Sequence, residues 1–225
     1  MIINVYGSTG VIGKTFLSII KNQFPKYKIN LLCAKNNIKL LAKQCKEFNA
    51  NFVYVDNQKK INTLRSILPK AIKILNKNEL NEYLHKSRSD LSILSVSGYE
   101  SLKYLELICI NTNKIGIVSK EAIVSAGHIL KNIIKKNNTK IFPLDSEHFS
   151  IFQNFNKTNI GDSNIKKIYL TASGGPFINK KFNLLKNVSF KEAIKHPKWK
   201  MGYKNSIDSA TLVNKCLELI EAHYL

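Results

Sequence analysis

Between His196 and Glu218 the chain carries His196, Trp199, Lys204, Asn205, Ser206, Asp208, Ser209, Asn214, Lys215 and Glu218. Hydroxyls, an amide, an ammonium and a carboxylate thus crowd one loop and the first turns of a helix. Such a mixture suits a phosphorylated polyol held beside a divalent cation. Asn214 and Glu218 stand four residues apart and Lys215 and Glu218 three, so each pair shares a helix face. A plain surface salt bridge between Lys215 and Glu218 accounts for the same spacing. His196 and Trp199 sit in a loop with Pro197 and Gly202, where a tryptophan serves either ordinary packing or a lid that excludes water. One histidine alone does not establish acid–base chemistry.

Four other clusters have chemical potential. Asp145-Ser146-Glu147-His148 follows an expected strand at Lys140–Phe142, where doubly wound sheets place their ligand crevice. Carboxylates at i and i+2 of an extended segment project to one side, and a third would complete an all-oxygen site for Mg²⁺ or Mn²⁺. The same acids also suit a solvated loop or a helix N-terminus. Thr171-Ala-Ser173-Gly174-Gly175-Pro176-Phe177 ends an expected strand with a hydroxyl and two glycines, which fits either the approach of an anionic group or a tight turn. Gly7-Ser8-Thr9-Gly10-Val11-Ile12-Gly13 lies between the first strand and an amphipathic helix, the place where backbone amides meet a pyrophosphate. Its spacing is G-x-x-G-x-x-G, and close packing of strand on helix also uses such glycines. At the end of the second strand, Cys33-Ala34-Lys35-Asn36-Asn37 offers a cation and amides but no acid, which favours a 2′-phosphate over a bare ribose diol. In so lysine-rich a chain, a merely solvated Lys35 reads equally well.

These groups need a frame. Short apolar runs at Ile2–Tyr6, Lys28–Ala34, Phe52–Val55, Leu91–Val96, Ile115–Val118 and Lys140–Phe142 alternate with helical patterns at 14–22, 38–48, 58–67, 80–86, 101–111 and 120–136. Strands apolar almost throughout, each followed by a helix, predict a parallel sheet covered on both faces. Residues 1–142 are therefore expected to form a Rossmann-like, doubly wound α/β domain. Beyond Pro143 the pattern changes to a helix-like run, a loop at 156–164, a strand at Ile165–Thr171, a helix opening at the capping box Ser189-Phe-Lys-Glu192, and a last helix capped by Asp208 or Ser209.

Composition narrows the function classes. At 225 residues and 44% hydrophobic, the chain has room for one full domain and part of another. The formal charge of +20 comes almost wholly from scattered lysines, with Arg65 and Arg88 the only arginines. Nucleic-acid readers concentrate arginine and basic charge on one face, so no nucleic-acid partner is expected. No apolar segment is long enough to span a bilayer, and the N-terminus has no signal-peptide pattern, so the reading is cytoplasmic with no membrane partner. Cys33, Cys45, Cys109 and Cys216 fall singly in apolar stretches and read as reduced core residues.

Taken together and in order, Gly7–Gly13, Ser119-Lys120-Glu121, Pro143–His148, Thr171–Phe177 and His196–Glu221 resemble the 1-deoxy-D-xylulose 5-phosphate reductoisomerases. The resemblance implies an NADPH- and Mn²⁺- or Mg²⁺-dependent enzyme of isoprenoid synthesis, homodimeric at full length. It converts 1-deoxy-D-xylulose 5-phosphate to 2-C-methyl-D-erythritol 4-phosphate. By the same resemblance Asp145, Glu147 and Glu218 bind the metal. Ser173, Ser209, Asn214 and Lys215 hold the substrate phosphate, and Lys120, Ser146 and His196 contact its carbon skeleton, with Lys120, Glu147 and His196 as the catalytic set. Trp199 and Met201 belong to the lid. Gly7, Ser8, Thr9, Gly10, Val11, Ile12, Gly13, Lys35, Asn36, Ser119, Glu121 and Gly202 line the cofactor. Ser119 stands where the family usually has Asn, Ala34 where it has Gly, and Val11 where Ser is common. Family members continue past Ala222, so residues 143–225 are expected to be the first part of a catalytic domain. The alternative is a non-catalytic nucleotide-binding remnant of such an enzyme.

Overall fold

The computed structural model describes residues 1–155, 166–198 and 202–225. The chain divides into two compact units, Met1–Phe149 and Ser150–Leu225.

The first unit is built on strands β1 (Ile2–Tyr6), β2 (Lys28–Ala34), β3 (Phe52–Val55), β4 (Lys73–Leu75), β5 (Ser89–Leu94), β6 (Thr112–Ile117) and β7 (Lys140–Pro143). All neighbours are parallel, in the order β4-β3-β2-β1-β5-β6-β7. The helices between them are α1 (Val11–Gln23), α2 (Ile38–Glu47), α3 (Ile61–Ile67), α4 (Lys77–Lys86), α5 (Leu102–Ile110) and α6 (Lys120–Asn137). This is a doubly wound α/β sheet whose order reverses between β1 and β5, the place where such sheets open a crevice at their carboxyl edge. Ile3, Val5, Leu32, Val53, Val55, Leu17, Leu41 and Leu64 are completely or almost completely buried in one core. Each such side chain is worth about 1.5–3 kcal/mol of transfer free energy, which is why the continuous apolar runs settle as central strands.

Several elements differ from the sequence reading. β4 was not expected: with only Lys73, Ile74 and Leu75 it is too short to show a pattern, as suits a strand at the sheet edge. Helix α4 begins three residues earlier than expected, because Asn76 and Glu79 form a reciprocal capping box in which Asn76 Oδ1 accepts from Glu79 N at 3.0 Å. β5 lies two residues earlier than Leu91–Val96, and β6 opens at Thr112. Ser89 and Thr112 exchange a buried side-chain hydrogen bond at 3.0 Å, which lets polar residues enter both strands.

Helix α7 (Ser146–Phe155) follows β7 and spans the boundary of the two units. The second unit then contains 3-10 turns at Gly175–Phe177 and Phe182–Asn187 and helices α8 (Phe190–Ala193), α9 (Tyr203–Ala210) and α10 (Val213–Tyr224). The expected capping box is present: Ser189 Oγ accepts from Glu192 N at 3.3 Å and Ser189 N donates to Glu192 Oε2 at 2.8 Å. The expected strand at 165–171 is not formed by its described residues, 166–171; Ile168, Tyr169 and Leu170 are exposed and join no ladder. A strand exists only where a neighbour takes its backbone hydrogen bonds. The single terminal helix expected from Asp208 or Ser209 is also corrected. Both residues lie inside α9, whose N-cap is Gly202, and the chain breaks at Leu212, with φ 60, before α10 begins. The expected loop at 156–164, Ile165, Trp199 and Met201 lie outside the described residues.

Candidate active site

The glycine turn leads directly from β1 into α1. Gly7 has φ +82, and a Cβ there would stand 2.7 Å from Ser95 O; one at Gly13 would stand 2.5 Å from Gly7 O. Only glycine lets β1, the turn and the start of α1 pack this closely. Gly7 N and Ser8 N both donate to Cys33 O at 2.9 Å, tying the turn to β2. Ser95 Oγ donates to Tyr6 O at 2.7 Å, tying it to β5. Ser8 is buried, with its Oγ donating to Gln44 Oε1 at 2.8 Å, so its side chain serves the turn from beneath. Val11 is 74% exposed at the start of α1, where a helix presents N–H groups that have no partner within the helix.

A cleft of about 290 Å³ opens beside this turn, lined by Gly7, Thr9, Gly10, Lys35, Asp56, Ser95, Glu100 and Tyr104 among others. It lies at the carboxyl ends of β1, β2, β3 and β5. Lys35 is on its wall. Asn36 is held by Asn57 Nδ2, which donates to its Oδ1 at 2.9 Å, and by Lys60 Nζ, which donates to its carbonyl at 2.9 Å. Asp56, Lys60, Glu100 and Tyr104 escaped the sequence reading. Asp56 immediately follows β3, at the same sheet edge as Gly7 and Lys35, and that position was the available signal. Tyr104 and Tyr54 donate to Asp56 Oδ1 at 3.3 and 3.4 Å.

Further along the same edge, Ser119 caps α6 and is buried, donating to Gly98 O at 2.9 Å and close to Glu121 Oε2 at 2.7 Å. Lys120 places its ammonium 3.9 Å from Asp145 Oδ1. Contrary to the expectation, Asp145 does not share an extended segment with Glu147, which lies in α7. Its Oδ1 accepts from His148 N at 2.9 Å, the bond of an N-cap, and from the His148 ring Nδ1 at 2.9 Å. Ser146 and Glu147 occupy the first turn of α7, with Ser146 Oγ donating to Glu147 Oε2 at 2.9 Å. Burial would raise the Asp145 carboxyl, but the two His148 hydrogen bonds and the Lys120 charge outweigh it and hold the group below its usual range. The helix-start reading is the one these bonds show for Asp145.

In the second unit, Ser173 and His196 meet at 3.0 Å between Oγ and Nε2. Lys198 N donates to His196 Nδ1 at 3.2 Å, so Nδ1 is the acceptor and the ring proton sits on Nε2, donating to Ser173. Gly175 N also donates to Ser173 Oγ, at 3.3 Å. Gly174 and Gly175 both have positive φ, and a Cβ at Gly175 would stand 2.8 Å from Ser209 O. The Ser173 turn thus lies directly against the end of α9 that carries Ser209. On α10, Asn214 Nδ2 donates to Glu218 Oε1 at 2.5 Å and Lys215 Nζ to Glu218 Oε2 at 2.7 Å, with the Glu218 side chain fully buried. Glu221, one turn further, is buried as well and was missed; its spacing from Glu218 on one helix face was the signal. Gly202 precedes α9 in open space. Cys33, Cys45 and Cys109 are buried, and burial pushes the last two thiols up to about 12, whereas Cys216 is exposed on α10 rather than in a core.

Among the described residues no helix is long and apolar enough to cross a membrane. Residues 3–127 match the family model described as 1-deoxy-D-xylulose 5-phosphate reductoisomerase, and residues 141–225 match the model of that enzyme's C-terminal domain. The chain is 41% identical over 225 residues to the 1-deoxy-D-xylulose 5-phosphate reductoisomerase of Pelagibacter ubique, covering 98% of this chain and 57% of the relative. Against that of Thermodesulfovibrio yellowstonii it is 42% identical over 222 residues, with 98% and 58% covered. The structure is similar to that of the Zymomonas mobilis reductoisomerase in complex with NADPH, with a TM-score of 0.88, 31% identity, and 99% of this chain and 57% of that one covered. It is likewise similar to a reductoisomerase in complex with NADPH, fosmidomycin and magnesium, with a TM-score of 0.85, 32% identity, and 100% and 58% covered. The chain spans somewhat under three fifths of the length of these relatives. Its glycine turn, the acids after β7 and the polar face of α10 are therefore those of a member of the 1-deoxy-D-xylulose 5-phosphate reductoisomerase family.

Proposed function

We propose that this chain carries the nucleotide-binding domain, residues 1–142, and the opening part of the catalytic domain, residues 143–225, of an NADPH- and divalent-metal-dependent reductoisomerase. Its substrate is 1-deoxy-D-xylulose 5-phosphate and its product 2-C-methyl-D-erythritol 4-phosphate, made in the cytoplasm by a homodimer at full length. The observation that carries this reading is that the glycine turn, Lys35, Lys120 and Asp145 all stand on the carboxyl edge of one parallel sheet. A nucleotide bound at the turn would lie along the same edge as the groups that handle substrate.

NADPH suits the turn because a Cβ at Gly7 or Gly13 would collide with backbone, so a glycine turn this tight brings β1 directly to the start of α1, where the first helical N–H groups have no partner within the helix. Gly7–Gly13 would cradle the pyrophosphate, Lys35 and Asn36 the 2′-phosphate side, and Ser119, Glu121 and Gly202 the remainder. The donor set of Asp145, Glu147 and Glu218 is all oxygen, which fits Mg²⁺ or Mn²⁺. Bound there, the metal would polarise the substrate's carbonyl and hydroxyl oxygens. Ser173, Ser209, Asn214 and Lys215 would hold the phosphate, while Lys120, Ser146 and His196 orient the carbon skeleton. The Nε2–H of His196 makes it a hydrogen-bond donor in that role.

Purified protein given substrate, Mn²⁺ and NADPH is expected to consume nicotinamide absorbance, and Glu218→Gln to abolish the loss. Calorimetric NADPH binding with no turnover would refute catalysis by this chain.

A further inference from the structure

The charged groups at the mouth of the nucleotide cleft are of both signs. Lys35 projects from the end of β2 with its side chain 65% exposed. Lys60 reaches the same turn through the Asn36 carbonyl. Facing them, Glu100 lies on the 3-10 turn Gly98–Ser101 after β5 and lines the cleft. Its Oε2 stands 4.0 Å from Lys35 Nζ and 2.5 Å from Lys103 Nζ. Two cations thus share one carboxylate at the wall where Lys35 would meet a cofactor phosphate.

That carboxylate has opposite consequences for the two nicotinamide dinucleotides. A free ribose 2′-hydroxyl is a donor, and sites for NADH recognise it with an acid that accepts its proton. Here the end of β2 supplies no acid, but the turn after β5 brings one to the same cleft. A 2′-phosphate has no such proton and carries about two negative charges, so it is repelled by Glu100 while attracted by Lys35. Lys103, three residues along the chain from Glu100, pins the carboxylate in place, and its hydrogen bond is the main reason the group stays below the usual carboxylate range.

We infer that Glu100 is a specificity-determining residue of this cleft: it takes the place of a diol-binding acid and blunts the preference for NADPH over NADH that Lys35 creates. The inference rests on the cleft being the dinucleotide site proposed above. Fluorescence titration of the 225-residue chain with NADPH and with NADH tests it. Glu100→Gln keeps the length of a partly exposed side chain and removes its charge. For charges about 6 Å apart in water at physiological salt, it is expected to raise the NADPH-to-NADH affinity ratio about threefold or more. Lys103→Met, which unpins the carboxylate and removes a nearby cation, is expected to lower the ratio. A ratio in Glu100→Gln at or below that of the unaltered chain overturns the inference, as does a rise in Lys103→Met. An unaltered chain that binds neither nucleotide overturns the dinucleotide reading itself, and the inference with it.

Discussion

Replacing Gly13 by alanine tests the glycine turn quantitatively. The new Cβ would stand 2.5 Å from Gly7 O, 2.7 Å from Ser8 Cα and 2.9 Å from Ser8 C, all of them backbone atoms that no rotamer change can move. Ordinary contact begins at 3.4 Å, so the turn has to retreat by about 0.9 Å. That retreat strains the bonds of Gly7 N and Ser8 N to Cys33 O and of Ser8 Oγ to Gln44. Overpacking of this kind costs about 1–3 kcal/mol and each weakened hydrogen bond about 1 kcal/mol. Alanine returns about 1 kcal/mol of helix propensity, because Gly13 lies in the first turn of α1. The net loss is about 3–5 kcal/mol, and since about 1.4 kcal/mol is tenfold, displacement of the turn that opens α1 should weaken NADPH binding by tenfold or more. Gly10→Ala is the control for stability, since its Cβ would meet Gly7 O at 3.3 Å and its φ is −73. Urea unfolding of the three proteins, with NADPH titration of Gly13→Ala, provides the assay. An unfolding midpoint for Gly13→Ala equal to that of the unaltered chain, or a larger loss in Gly10→Ala, would refute the reasoning.

Other predictions concern the acids and turns of the two units. Asp145 is depressed below its usual carboxyl range when folded, so its contribution to stability is complete above the unfolded value and disappears as pH falls through the folded one. The stability gap between the unaltered chain and Asp145→Asn is expected to be flat above about pH 5 and to close below about pH 4; a gap that stays constant into strong acid counts against the His148 and Lys120 partnership. Leu212 has φ 60, a conformation that costs a leucine roughly 1–2 kcal/mol and suits asparagine better. Leu212→Asn should therefore raise the thermal midpoint and Leu212→Val lower it, and the reverse order would remove the argument. Nitrogen NMR of the imidazoles should find the His196 proton on Nε2, with that resonance shifted in Ser173→Ala; a proton on Nδ1 would contradict the bond from Lys198 N.

The first unit was largely legible in the sequence because its central strands are buried on both faces, so that Ile2–Tyr6, Lys28–Ala34 and Phe52–Val55 appear as mostly apolar runs with the bounds observed. Buried polar residues that satisfy each other also enter the ladder, and Ser89 and Thr112, hydrogen-bonded together, hid the openings of β5 and β6. In the second unit the relation inverts: Ala193, Ser206, Glu218 and Glu221 are buried, while Tyr169, Phe182 and Leu219 are among the exposed residues. Apolar periodicity therefore predicts little there. The break at Leu212 carries no glycine to announce it, and the run from Asp208 into α10 reads as one helix. The glycine turn, Lys35 and the acids after β7 were visible as residue types at strand ends. Asp56 stands at a strand end too and was passed over, whereas Glu100, on a turn beyond β5, needs the sheet order to show that it faces the same cleft as Gly7.

If α10 binds metal and phosphate as proposed, its polar bonds couple the two. Both oxygens of the buried Glu218 already have partners, Asn214 at 2.5 Å and Lys215 at 2.7 Å. Those partners are the same groups proposed to hold the substrate phosphate. If Glu218 ligates a dication, the Lys215 ammonium loses its reason to stay, since one carboxylate seldom serves both cations in a buried setting. Lys215 and Asn214 then become available to an anion. Conversely, an anion that draws Lys215 away leaves Glu218 a buried charge in want of a cation. By linkage the two affinities rise together, and a coupling of about 1–2 kcal/mol corresponds to roughly five- to thirtyfold in each. Mn²⁺ titrations with and without inorganic phosphate should show that gain. Lys215→Met should tighten Mn²⁺ in the absence of phosphate and erase the gain in its presence, because the competitor and the coupler are one ammonium. A Mn²⁺ affinity indifferent to phosphate in the unaltered chain, or weakened in Lys215→Met, would mean that the Lys215–Glu218 pair is an ordinary helix salt bridge.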